Sequence, residues 1–207
     1  MGTKKDMTLN HYINSIKDEI GWRGPEKREE KRLENNRLKF VDKTFRLPNG
    51  EEQKCLVRTG YNGVCAIAIT TDNKVVCVME YRPGPEKIFL DLPGGHLEEG
   101  EDEVEGIVRE LQEETSYSCS KENVVYLGTE HIHQYDESIK HGFLITGCKL
   151  NTNSNLKPDH NEFLKVVCLP MDEFVHHVLL GKMFNTSMCL KALVRLGWNL
   201  TKSSSMK

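Results

Sequence analysis

Three observations predict an α/β fold, a mixed sheet sandwiched between helices. The first is a pair of continuous apolar runs, VCAIAIT at 64–70 and KVVCVMEY at 74–81, joined by Thr71-Asp72-Asn73. Runs of that length around a turn signal read as central strands in a hairpin. The second is one amphipathic helix in mid-chain, with Val104, Ile107, Val108 and Leu111 at the spacing of a single buried stripe. The third is a pair of helical patterns that close the chain after a last strand.

The elements follow in order. Residues 1–37 read as a helical arm and linker: Tyr12, Ile13, Ile16 and Ile20 stand at near-helical spacing before the charged run GPEKREEKRLENNR. The segment suits either a frayed helix or an arm that packs on a partner. From 38 to 60, two strand patterns flank Pro48-Asn49-Gly50, a hairpin signal, and make a small N-terminal antiparallel β region. The main domain then spans 61–200. After the central hairpin, IFLDLP at 88–93 leads into Gly94-Gly95 and the helix. VVYLGTEHIH at 124–133 and GFLITGCKL at 142–150 continue the sheet, and FLKVVCLP at 163–170 ends it after a polar loop. His131 and His133 alternate with Ile132 and so share one strand face, a polar sheet surface or pocket wall. A helix over 172–180 buries Phe174, Val175, Val178 and Leu179 and stops at Gly181. A second, over 187–196, buries Met188, Ala192, Leu193 and Leu196 and stops at Gly197. Residues 201–207, TKSSSMK, read as a disordered tail.

Composition bounds the function. The 207 residues are 38% hydrophobic, an ordinary globular value, and no apolar run reaches transmembrane length. The start, MGTKKDMTLNHY, lacks an apolar leader core. Seven cysteines are scattered and odd in number, which reads as buried thiols in a reducing, cytoplasmic setting rather than a disulfide frame. A net charge of −3 gives no basic field for nucleic acid.

The helix carries the chemistry. Glu110, Glu113 and Glu114 lie together beside its apolar stripe, while Arg109 points towards Glu101 and Glu105. Like charges three and four residues apart cost roughly 0.2–0.5 kcal/mol per pair. Negative charge near the helix C-terminus opposes the macrodipole by about 0.3–1 kcal/mol per exposed group. Carboxylates tolerated at such a place point to a divalent cation, Mg²⁺ with Mn²⁺ as the alternative, bridging to substrate phosphates. Gly106, costing about 1 kcal/mol against alanine, leaves room on the acidic side for a ligand.

The stretch Gly95-x5-Glu101-x7-Arg109-Glu110-Leu111-x-Glu113-Glu114-x-Ser116-Tyr117 resembles the Nudix box, with Ser116 standing where the pattern has glycine. That position ends the helix in a left-handed turn, which glycine prefers. The likeness runs over roughly 38–197, through RLPNGEEQ, MEYRPGPEKIFLDLPGGHLEEGED and EFLKVVCLPMDEF, and is similar to the ADP-ribose pyrophosphatase and nucleoside diphosphate sugar hydrolase branch. It implies a Nudix α/β/α sandwich and hydrolysis of the pyrophosphate bond in a nucleoside diphosphate derivative, giving a nucleoside monophosphate and a phosphorylated sugar. It implies Glu110, Glu113 and Glu114, with the Gly94 carbonyl, as metal ligands. Arg109 and Glu101 would order the carboxylates, Arg82 would contact phosphate, and Glu162 would be the general base, with Asp159 or a box glutamate as alternatives. His133 and Tyr135 would border the substrate. The place sixteen residues past the box, a proline in many ADP-ribose pyrophosphatases, falls at or beside His133; Tyr135, eighteen past, is similar to a tyrosine of dinucleoside polyphosphate hydrolases. That class remains an alternative, as does a silent nucleotide-binding sensor. The branch also implies a homodimer.

Overall fold

The computed structural model describes residues 26–32, 39–152 and 164–199. The amphipathic arm, Asp159, Glu162 and the C-terminal tail lie outside them. The described chain divides into two units. One takes the residues up to Gly60 together with His133–Ser138; the other takes Tyr61–Ile132 and the chain from Ile139 onward.

The N-terminal unit is an antiparallel sheet of β1 (Lys27–Arg32), β2 (Lys39–Arg46) and β3 (Glu52–Thr59), in that order. The expected hairpin is there, closed at Pro48-Asn49-Gly50 by Gly50 N donating to Leu47 O at 2.9 Å. The charged run read as linker is instead the edge strand β1. All six of its residues are charged, so it has no apolar face and period alone could not mark it as a strand. Opposite-charge neighbours support it from within the unit. Arg46, for example, holds Glu26 at 3.0 Å.

Residues 133–138 join this unit through an isolated bridge between Arg58 and Asp136. Arg58 N donates to Tyr135 O at 2.8 Å and Glu137 N to Arg58 O at 3.0 Å. Side chains reinforce the pairing. Arg28 grips both oxygens of Glu137 at 2.6 and 2.8 Å, Lys43 reaches the same carboxylate, and Arg58 meets the buried Asp136 at 3.0 Å.

The larger unit holds a seven-stranded mixed sheet. Its main path is β10 (Leu164–Pro170), β5 (Lys74–Arg82), β4 (Gly63–Thr70), β9 (Ile139–Leu150) and β7 (Tyr117–Ser118). The strands β6 (Lys87–Asp91) and β8 (Val124–His131) pair with β5 and β9. The pair β4–β9 is parallel and the others are antiparallel. As expected, β4 is central, and every residue from Val64 to Thr70 is buried. His131 ends β8 and His133 lies beyond it in the other unit, so the two do not share a strand face.

Helices cover both faces of the sheet. On one, α1 (Glu103–Thr115) packs Ile107 and Leu111 against Val64, Ala66, Val76, Phe143 and Ile145. On the other, α2 (Met171–Leu179) and α3 (Thr186–Arg195) pack Phe174, Val175, Met188 and Leu193 against Cys65, Ile67, Val75 and Cys77. Successive residues of β4 and β5 thus serve opposite cores, which is why those runs are continuously apolar. Burial pushes the Cys65 and Cys148 thiols up to about 12, so they pack as inert hydrophobes. No helix among the described residues is long and apolar enough to cross a membrane.

Glu137 offers a test of the N-terminal unit. Arg28, and then Lys43, hold its carboxyl down to about 2 from an ordinary 4.5. A depressed carboxyl stabilises the fold above its unfolded value and loses that contribution as pH falls through its folded one. Glu137→Gln therefore lowers the urea midpoint at pH 7. The gap to the parent protein closes as pH falls from about 4.5 to about 2. A gap that ignores pH would rule out the ion pairs as its source.

Candidate active site

The site begins with a turn that only glycine can make. Pro93 O accepts from Ala66 N at 3.0 Å and Gly95 O from Val64 N at 2.9 Å, so the turn lies directly on the start of β4. At Gly94, φ is 152°, and an added Cβ would come within 2.6 Å of Cys65 Cα and closer still to the Val64 carbonyl. At Gly95 an added Cβ would stand 2.5 Å from Glu110 Oε1. The two glycines let the backbone approach both the sheet and the helix carboxylates.

The helix is set by its caps. Asp102 accepts from Val104 N at 2.9 Å and Glu105 N at 3.3 Å, and Glu103 and Glu105 suit the positive end of the dipole. At the other end Ser116 takes φ 60°, the left-handed conformation expected there, and donates its N–H to Gln112 O at 2.9 Å. The last turn carries no basic residue of its own, so Glu113 and Glu114 need compensation from elsewhere.

Compensation comes from two sources. Glu114 is 5% exposed, and its Oε2 accepts from Gly94 N at 2.8 Å. Arg109 serves the other acids. Its Nε and Nη2 donate to the two oxygens of Glu101 at 2.8 and 2.9 Å, and Nη2 also donates to the His96 carbonyl at 3.0 Å. Its Nη1 donates to Glu110 Oε1 and Glu113 Oε2, each at 2.9 Å. The guanidinium is driven further from deprotonation, first by Glu101. In turn, the hydrogen bond from Arg109 holds the Glu101 carboxyl below the usual carboxylate range.

Two expectations change here. Arg109 meets Glu101 as expected, but it does not turn away from the helix acids, because its long side chain also reaches Glu110 and Glu113. Glu105 pairs with Lys121 at 2.7 Å instead. Gly106 leaves no ligand space either: an added Cβ would strike the Leu97 side chain and lie 3.1 Å from Glu101 Oε2. It is a close-packing glycine under the loop that delivers Glu101.

The donor set is hard oxygen, which suits Mg²⁺ or Mn²⁺. As they stand, no three His, Cys, Asp or Glu side chains among the described residues are gathered closely enough to hold an ion. Glu110 and Glu113 are turned onto Arg109, and Glu114 onto the backbone.

Of the other expected residues, Arg82 ends β5 and donates to Asp91 at 2.6 Å, with Glu80 at 3.0 Å and the Phe184 ring centroid at 5.0 Å. His133 and Tyr135 belong to the N-terminal unit, where their rings lie 5.8 Å apart and Tyr135 N donates to His133 Nδ1 at 3.3 Å. Sequence reasoning passed over Asp91. Its signal was a carboxylate inside an apolar run, Leu90-Asp91-Leu92, a place where a charge persists only with partners.

Comparison with known proteins bears on this geometry. A family model described as the NUDIX domain matches residues 61–186. A methanol dehydrogenase activator of Bacillus methanolicus is 34% identical over 133 residues, 64% of this chain and 70% of that protein. An ADP-ribose pyrophosphatase of Bacillus subtilis (strain 168) is 35% identical over 75 residues, 36% of this chain and 40% of that protein. An ADP-sugar pyrophosphatase of Mus musculus is 26% identical over 154 residues, 67% of this chain and 69% of that protein. The crystal structure of an ADP compounds hydrolase superposes with a TM-score of 0.68 at 19% identity, covering 86% of this chain and 98% of that one, which shows a shared fold.

Arg109→Met keeps the bulk of the side chain and removes the charge. It should lower stability by about 1–3 kcal/mol at pH 7, the scale for leaving charged hydrogen-bonding groups without their partner. Because the Glu101 carboxyl is depressed from 4.5 in the fold, the stabilisation is present above that value and lost below it. Urea melts at pH 7 and pH 4 should therefore show the penalty shrinking on acidification.

Proposed function

Because the chain belongs to the NUDIX family, we propose that this pyrophosphohydrolase splits ADP-ribose or an ADP-sugar, releasing AMP and a phosphorylated sugar. The observation that carries the reading is the acid cluster of α1 set against the Gly94–Gly95 turn, with Glu114 anchored on the Gly94 amide. The relatives named ADP-ribose pyrophosphatase and ADP-sugar pyrophosphatase support the substrate class.

Glu110, Glu113 and Glu114, with the Gly94 carbonyl, would hold a divalent cation, Mg²⁺ or Mn²⁺. When bound, such an ion neutralises phosphate oxygens and makes a water more acidic. The rest falls to the chain. Arg109 presents Glu110 and Glu113 in fixed orientation and keeps the loop carboxylate Glu101 out of competition for the ion. Arg82 offers a planar donor edge to a phosphate. Glu162 takes the proton of the attacking water, with Asp159 or a box glutamate as the alternative base. The seven free thiols support a reducing, cytoplasmic setting, and we place the enzyme there as a homodimer.

A second reading has one observation in its favour: the relative from Bacillus methanolicus is named an activator of methanol dehydrogenase. Activation of a partner by the same hydrolytic site is compatible with the first reading. Activation by binding alone is not.

Two measurements test the proposal. Incubation with Mg²⁺ and a panel of ADP-ribose, ADP-sugars and dinucleoside polyphosphates should yield AMP plus a sugar phosphate from the first two classes. Mononucleotides alone, from the third class alone, would replace this reading with a dinucleoside polyphosphate hydrolase. Glu114→Gln keeps the acceptor for Gly94 N–H and removes one charge. Its kcat should fall by about two to three orders of magnitude, with thermal stability equal to the parent or higher; an undiminished kcat refutes the ligand assignment.

A further inference from the structure

A second buried carboxylate lies in the larger unit, apart from the acid cluster. Asp91 ends β6 and is 1% exposed. Its Oδ1 accepts from Leu92 N at 2.7 Å and from the Asn185 side-chain amide, and its Oδ2 accepts from Arg82 Nη2 at 2.6 Å. Asn185 accepts in turn from Lys140 Nζ at 2.8 Å, so its amide is braced from both sides. Phe184, the preceding residue, lies 5.0 Å under the Arg82 guanidinium and 5.8 Å edge-on to Phe89. Asn185 stands at the N-cap of α3 yet makes no side-chain cap bond; its side chain is committed to Asp91 and Lys140.

These contacts fix one corner of Arg82. Among the described residues its Nε has no hydrogen-bond partner, and Nη1 makes no hydrogen bond either. The side chain remains 32% exposed. An arginine needed only to neutralise Asp91 would place more of its donors on that carboxylate. Here Nη2 alone serves Asp91 and, at 3.0 Å, Glu80, and among the described residues Nε and Nη1 are left uncommitted. We propose that Asp91 is a positioning residue for hydrolysis: braced by Asn185 and the Leu92 amide, it aims Arg82 at a phosphate of the bound nucleoside diphosphate. This rests on the reading that Arg82 meets the substrate. Asp91 also sits three residues before Gly94, so the same anchor sets the chain entering the Gly94–Gly95 turn. Preorganisation of this kind removes an ordering cost from substrate binding.

A double-mutant cycle with ADP-ribose and Mg²⁺ tests it. Asp91→Asn keeps the shape, retains one oxygen acceptor, and removes the charge that aligns Arg82. It should raise KM on the order of tenfold with a smaller change in kcat. In an Arg82→Ala background the same substitution should add nothing further to kcat/KM, because its route is gone. If the two effects multiply instead, Asp91 acts on the fold and the proposal is overturned. If Arg82→Ala leaves KM at the parent value, the substrate contact of Arg82 is refuted, and the role of Asp91 with it, while hydrolysis itself stands. Should Asp91→Asn not fold, Asp91→Glu in both backgrounds supplies the same cycle, since it keeps the charge and displaces it by one methylene.

Discussion

Everything at the active site depends on one guanidinium. Arg109 meets Glu101 through two nitrogens, Glu110 and Glu113 through a third, and the His96 carbonyl besides. Without it, Glu101, Glu110 and Glu113 would face one another uncompensated, and the helix end would carry negative charge against its own dipole. A lysine could not substitute, because a point charge cannot address three carboxylates and a carbonyl in fixed directions. The arginine also solves a problem of assembly. It lets the acids fold into place with part of their charge compensated, close to the Gly94–Gly95 backbone.

The fold was legible because its signals were periodic. Continuous apolar runs marked β4 and β5 to within a residue, and the stripe through Ile107 and Leu111 marked the existence of α1. Ser116 was legible as a left-handed stop from the box alone. What stayed hidden was tertiary. The strand β1 is held by charge pairs and strand neighbours rather than an apolar face, so no window of sequence announces it. The segment 133–138 looks like a loop between β8 and β9, and only the pairing of Arg58 with Asp136 and of Arg28 with Glu137 makes it part of the N-terminal sheet. Gly106 was read as room for a ligand because sequence shows the missing side chain but not that Leu97 packs against it.

Charge is used in two ways in this protein, and burial decides which. Glu137 and its partners Arg28 and Lys43 are partly exposed, so their pairing is weakened by solvent and salt and serves to attach a segment. Asp91 is buried, so its contacts have direction as well as strength: backbone on one side, an amide and a guanidinium on the other. A carboxylate so placed contributes more to orientation than to net stability, since desolvation offsets much of the attraction. That is the expected balance for a group whose value lies in where it points its partner.

The relatives show why orientation matters more than fold here. Two proteins of similar identity to this chain, 35% and 34% over their matched lengths, carry different names, an ADP-ribose pyrophosphatase and a methanol dehydrogenase activator. Function on a common scaffold is decided by the groups that face the ligand. In the proposed reading the box residues bring carboxylates to a phosphoanhydride but say nothing about what is attached to it. Selection among substrates must come from groups outside the box whose placement is controlled. In the proposed reading Arg82, held at one corner by Asp91 over the Phe184 ring, would be such a group, and its contacts come from β6 and the start of α3 rather than from α1.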